Sequence, residues 1–119
     1  MRNNQPVTAV EHFVDAHRPV VTTTDLTGRI TYANPAFIEV SGFAREELLG
    51  EHHNIVRHPD MPSEAFTDMW NTLKRGQPWR GMVKNRSKDG GFYWVEAYAT
   101  PLYDNGTQVG YMSVRNAAE

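Results

Sequence analysis

Apolar residues fall into two different rhythms along the chain. Val10, Phe13 and Val14 sit at i, i+3 and i+4, which predicts a short amphipathic helix over residues 7–17, ended by Pro19. Residues 20–24 are β-branched-rich and read as a strand; Asp25-Leu26-Thr27-Gly28 supplies turn chemistry, and 29–33 reads as the paired strand. Asn34-Pro35 is a helix start, with Asn as N-cap and Pro in the first turn. Phe37, Ile38 and Val40 give that helix a buried side, and Gly42 stops it. Residues 44–49 form one further helical turn closed by Gly50, and 51–61 has no usable period and reads as a loop.

A longer helix is predicted from Pro62 to about Lys74, with Phe66, Met69, Trp70 and Leu73 in one stripe and Gly76 beyond its end. Three strands follow, over 79–87, 92–103 and 108–115, separated by Lys88-Asp89-Gly90-Gly91 and Asp104-Asn105-Gly106. Two strands, a cluster of short helices, one longer helix and a three-strand meander fit an α+β fold. Its expected form is a five-stranded antiparallel sheet with the helices on one face. The expected division is an N-terminal cap over 1–19 and a sensor domain over 20–119.

Composition narrows the chemistry. The 119 residues include no cysteine, which removes disulfides, thiolate catalysis and iron–sulfur clusters. A net charge of −2 gives no global attraction to nucleic acid or anionic membrane. The opening Met1-Arg2-Asn3-Asn4-Gln5-Pro6 lacks the apolar core of a signal peptide, and no apolar run approaches a membrane span, so a soluble piece with no membrane insertion is expected. Arginines outnumber lysines nine to three, so single arginines are candidates for fixed recognition of carboxylate or phosphate.

The element order, together with Asp25-Leu26-Thr27-Gly28-Arg29-Ile30-Thr31-Tyr32-Ala33-Asn34 and Lys88-Asp89-Gly90, resembles Per-ARNT-Sim (PAS) domains from residue 20 to 115. More specifically, His53-Asn54-Ile55-Val56-Arg57-His58-Pro59-Asp60-Met61-Pro62 is similar to the aerotaxis-receptor branch. Ala65-Phe66, Asp68-Met69-Trp70, Pro78-Trp79, Val83-Lys84-Asn85-Arg86 and Gly110-Tyr111-Met112-Ser113 extend that similarity. The resemblance implies a sheet in the spatial order 2-1-5-4-3 and non-covalent FAD read as a redox signal, without enzymatic turnover. It also implies a cytoplasmic setting in an inner-membrane-anchored receptor. The partners it implies are a HAMP domain, a chemoreceptor signalling domain, the chemotaxis kinase and adaptor, and a second copy of the chain. The ligand-free or haem-binding PAS module is the alternative.

Under that resemblance the candidate flavin-binding residues are Asn34, His53, Arg57, His58, Asp60, Phe66, Trp70, Trp79 and Asn85. An amide such as Asn85 both donates and accepts, matching the alternating edge of a flavin pyrimidine, and regular alternation puts it on one face with Trp79, Gly81 and Val83. The light-sensing flavin branch has asparagine at the Asn85 position, but its second asparagine is Val95 here and its reactive cysteine is missing, so a thiol adduct is impossible. Trp70 and Trp79 are candidate walls, with Phe66 a third. Arg57 is placed to pair with a diphosphate or with Asp60, and His58 to bond the ligand or to cap the turn before Pro59; Asn34 is in any case a helix cap. His52, His53, His58 and Asp60 lack metal-site spacing, and residues 63–75 hold no histidine for haem. If Tyr93, Val95, Ala97 and Ala99 face inward, Trp94, Glu96 and Tyr98 face outward, as a docking surface or as cross-strand pairs.

Overall fold

The computed structural model describes residues 6–117, so the first five residues of the expected cap and the last two of the chain lie outside the described residues. The strands are β1 (Val20–Asp25), β2 (Ile30–Ala33), β3 (Trp79–Arg86), β4 (Phe92–Asp104) and β5 (Thr107–Ala117). The helices are α1 (Pro35–Ser41), α2 (Arg45–Leu48) and α3 (Ser63–Lys74), with a 3-10 turn at His53–Val56 inside the expected loop. All five strands join one antiparallel sheet in the order β2-β1-β5-β4-β3, as the resemblance implies.

Local chemistry explains the short elements. Asn34 Oδ1 accepts from the Phe37 amide at 3.1 Å and from the Val21 amide at 3.1 Å, while Nδ2 donates to the Pro19 carbonyl at 2.9 Å. One side chain therefore caps α1 and ties it to β1. Gly42, at φ 76°, ends α1 in the left-handed region.

The core follows the period of two in β4: Tyr93, Val95, Ala97 and Ala99 are buried, while Trp94 is exposed and Glu96 and Tyr98 are only half-buried. On the outer face Arg80 donates to Glu96 at 3.2 Å, so that side does carry cross-strand pairing. Phe37, Leu48, Val20 and Ile30 fill the end under α1 and α2. Under α3 the packing is thinner. Of its apolar stripe only Leu73 is fully buried; Phe66, Met69 and Trp70 are half-buried.

The N-terminal segment departs from expectation. Residues 7–17 form no helix. The chain runs extended and bridges Glu11 to Phe92 in parallel, with Phe92 donating to the Val10 carbonyl (3.0 Å) and its own carbonyl accepting from His12 (2.7 Å). The start of β4 lies beyond the end of β5, and this segment satisfies backbone groups that β5 leaves unpaired. Phe13 is 80% and Val10 58% exposed, so of the apolar stripe behind the helix prediction Val14 alone packs on the core. A helix this short is marginal without such burial, and strand-like pairing wins.

Candidate functional site

Between the sheet and α3 lies a cavity of about 90 Å³. Its floor is the inner sheet face: Val83 and Asn85 of β3, Ala97 of β4, Ser113 and Arg115 of β5. Phe66, Met69 and Trp70 of α3 form the roof, and His52, His53, Asn54 and Arg57 close the side. Small side chains at 97 and 113 leave the space. Two isolated backbone bridges, Arg29↔His52 and Arg57↔Asn85, pin the 51–61 loop across it from β2 to β3.

Five of the nine residues expected from sequence line this cavity: His53, Arg57, Phe66, Trp70 and Asn85. The other four stand elsewhere. Asn34 caps α1 as described. His58 is buried with its ring edge-on to Phe92, and its Nδ1 accepts from the Asp60 amide at 3.0 Å, the capping arrangement. Burial, then the Lys84 charge, lowers its pKa. The Asp60 carboxylate accepts from Lys84 at 3.2 Å, and the Arg57 guanidinium lies 4.1 Å from the Phe66 ring centre, so the Arg57–Asp60 lock is not the arrangement formed. Trp79 lays its indole over Gly81, where a Cβ would come within 2.5 Å of the ring, and donates to Asp68 at 2.9 Å.

The residue that sequence reasoning missed is Arg115. It is 2% exposed, yet among the described residues it has no carboxylate partner. Its guanidinium donates to His53 Nε2 (2.9 Å) and to Thr22 Oγ1 (2.7 Å), lies 4.9 Å from the Phe37 ring centre, and leaves its Nε without a hydrogen-bond partner. Burial lowers its pKa to about 10, so it remains a cation at neutral pH. The available signal was its inward phase on the last strand, shared with Tyr111 and Ser113. The Tyr93 hydroxyl is also buried without a well-formed hydrogen bond; burial raises its pKa, and both Arg115 and Asn85 are near enough to influence its titration.

His53 is the complement of Arg115. Because Nε2 accepts, the ring proton sits on Nδ1, and burial followed by the Arg115 charge lowers the pKa to about 3. The unfolded chain protonates this histidine near its ordinary value of about 6.5, whereas the folded one does not until about pH 3. Stability contributed here is complete above pH 6.5 and is lost as pH falls, by up to roughly 1.4 kcal/mol per unit. The urea midpoint should therefore drop between pH 6.5 and 4, and drop less in His53→Gln, which keeps an acceptor for Arg115 but does not titrate. Equal slopes for the two proteins would refute the neutral buried histidine.

The arrangement is a mainly apolar slot carrying the amides of Asn54 and Asn85 and the buried charge of Arg115, which has no carboxylate partner among the described residues. Such a charge is costly to bury unless something electron-rich joins it. No three metal-ligating side chains cluster among the described residues, and His53 Nε2, the nitrogen a haem iron would need, is occupied by Arg115 and Thr22.

A five-stranded antiparallel sheet in the order β2-β1-β5-β4-β3, with the slot under α3, is the architecture of a PAS domain. A family pattern described as PAS fold matches residues 30–115, and the chain belongs to that family. Within it, the chain is 56% identical over 99 residues to the aerotaxis receptor of Escherichia coli (strain K12), covering 83% of this chain and 20% of that protein. It is 39% identical over 82 residues to the nitrogen fixation regulatory protein of Klebsiella pneumoniae, covering 69% of this chain and 17% of that one. The chain thus spans about a fifth of the length of these relatives. Among solved structures, a light-oxygen-voltage domain studied with a flavin analogue superposes at a TM-score of 0.79 with 24% identity, covering 87% of this chain and 79% of that one. Among the described residues no helix is long and apolar enough to cross a membrane.

Proposed function

We propose that this domain holds FAD between the sheet and α3 and reports its redox state to the remainder of an aerotaxis-type receptor. The observation that carries the reading is Arg115, a buried cation with an unpartnered Nε in the same slot as the Asn85 amide. The 56% identity to an aerotaxis receptor supports it, as does the flavin chemistry of a domain that shares its fold.

The donor set fits a flavin edge. Asn85 both donates and accepts, and Arg115 places a fixed positive charge where added electron density is favoured in a low-dielectric pocket. Bound FAD supplies the reversible electron chemistry. His53 stays neutral and holds the guanidinium in place. Asn85 faces Tyr93 across β3–β4, and its backbone bridges to Arg57, so a reoriented amide is felt both in the sheet and in the 51–61 loop. Exposed Met82 and Trp94 lie on the outer side of those strands, where the HAMP and signalling domains would take up the change. The same reading makes this a non-enzymatic cytoplasmic domain of a membrane-anchored, dimeric receptor coupled to the chemotaxis kinase and adaptor, without nucleic acid as a partner.

Volume is the test of the fit. About 90 Å³ is short of the 300 Å³ or more of typical ligand pockets, so Phe66, Met69 and Trp70 must swing outward to admit three fused rings. Their partial exposure makes α3 the yielding wall. The small volume favours the second reading, a ligand-free PAS interaction module. The purified chain should be yellow, and its extracted pigment should co-chromatograph with FAD. Colourless protein that stays colourless after incubation with flavin decides for the ligand-free module.

A further inference from the structure

We propose that α3 is a lid on the cavity, hinged at its C-terminal end and latched in its N-terminal half by the Trp79–Asp68 hydrogen bond. The lid is a property of the flavin-free chain and does not rest on the flavin reading above. The two ends of the helix are held differently. At the C-terminal end Leu73 is buried against Ala99 and Tyr111, and its carbonyl accepts from Gln108 at 3.2 Å. Trp70 lies edge-on to Tyr111 at 5.2 Å between ring centres, and the Tyr103 hydroxyl rests on Gly76, where a Cβ would come within 2.9 Å. Both strands of the β4–β5 hairpin thus grip the end of α3.

The N-terminal half is held from the surface. Pro62 provides no side-chain cap, and from Ser63 to Trp70 no residue is fully buried. Phe66 lies under the Arg57 guanidinium, and Asp68 accepts from the Trp79 indole N–H at 2.9 Å. A helix buried at one end and tied at the other by exposed contacts opens from the second, where less apolar surface is lost.

Trp79 is shaped for the latch. It is the first residue of β3, and its indole turns back over Gly81, where a Cβ would meet three ring atoms at 2.5–3.3 Å. The missing side chain at 81 lets the ring lie there, packed against Val83 and Tyr93 on one side and Leu73 and Ala99 on the other, with its N–H at Asp68. This gives a role to the tryptophan that the cavity itself does not use. Because the bond is exposed, water competes for it, so it biases the lid without locking it.

The chain has no cysteine, so one introduced thiol reports opening cleanly. Ala97→Cys on the cavity floor and Ala99→Cys under Leu73 start from equally buried positions, and Ser113→Cys repeats the first with a near-isosteric change. Each flavin-free protein is reacted with an aromatic disulfide reagent and the rate followed by absorbance. Asp68→Ala should speed labelling at 97 and 113 by roughly threefold to tenfold and leave position 99 within about twofold. Asp68→Asn keeps an oxygen for the indole and should restore the slow rate. Trp79→Phe should act as Asp68→Ala does, and the two together should add nothing further. Labelling should also rise far less steeply with urea than global unfolding does. An unchanged rate at 97 and 113, an equal rise at 99, additive effects, or a urea dependence as steep as global unfolding overturns the latched lid. None of these outcomes depends on flavin binding, so the two readings fail separately.

Discussion

Arg115→Met should make the flavin-free domain more stable while weakening flavin binding. The two effects have opposite signs because they arise from different states. With no carboxylate beside it among the described residues, the buried guanidinium has lost its hydration and has His53, Thr22 and the Phe37 ring in exchange. Replacing a buried charge by an apolar side chain of similar length removes that cost; whole buried ion pairs replaced by apolar residues leave stability unchanged or raise it by about 1–4 kcal/mol. The groups left behind are not stranded, since Thr22 Oγ1 already lies 3.3 Å from His53 Nε2. Under the proposed flavin reading the balance would reverse in the bound state, because the variant lacks the positive charge that favours added electrons. The midpoint potential should move negative, by about 59 mV for each tenfold loss of preference in a one-electron step. Urea denaturation of the flavin-free proteins and a redox titration of the loaded ones measure the two effects. A variant that loses several kcal/mol of stability would show that Arg115 is a structural keystone instead.

Gly110→Ala should be the most damaging small substitution in the sheet. Gly110 sits on the central strand β5, paired with Asp25 on one side and Leu102 on the other. A Cβ there would come within 2.1 Å of the Thr24 carbonyl oxygen and 3.2 Å of its carbon. Both atoms are backbone, so no rotamer change relieves the clash, and β1 must move away from β5. The expected loss is roughly 3 kcal/mol or more, a large share of a small domain's stability. Gly106→Ala is the control. Its φ of 79° imposes strain, but nothing lies within 4 Å of the new methyl, so about 1 kcal/mol is expected. Thermal melts of the two variants should differ clearly. If Gly110→Ala melts no lower than Gly106→Ala, the close approach of β1 to β5 is not what fixes glycine at this position.

Much of this protein was legible in its residues because short-range chemistry set it. Asn34 followed by Pro35 marks a helix start whichever way the chain later turns, Gly42 marks its end, and the alternation of Tyr93, Val95, Ala97 and Ala99 assigns the inner face of β4. Periodicity failed where its gain depended on a distant surface. Val10, Phe13 and Val14 have helical spacing, yet nothing arrives to cover Phe13, and the backbone found partners at Gly90 and Phe92 instead.

The site was half legible for the same reason. Asn85, Trp70, Phe66, His53 and Arg57 could be nominated from side-chain chemistry and resemblance, but not the way the 51–61 loop brings them together. Arg115 meets Thr22 across 93 residues of chain and His53 across 62. Sequence alone fixes that an arginine occupies an inward position on the last strand. Only the closing of β1, β5 and the loop around it decides that this charge is buried, meets no carboxylate among the described residues, and faces a cavity.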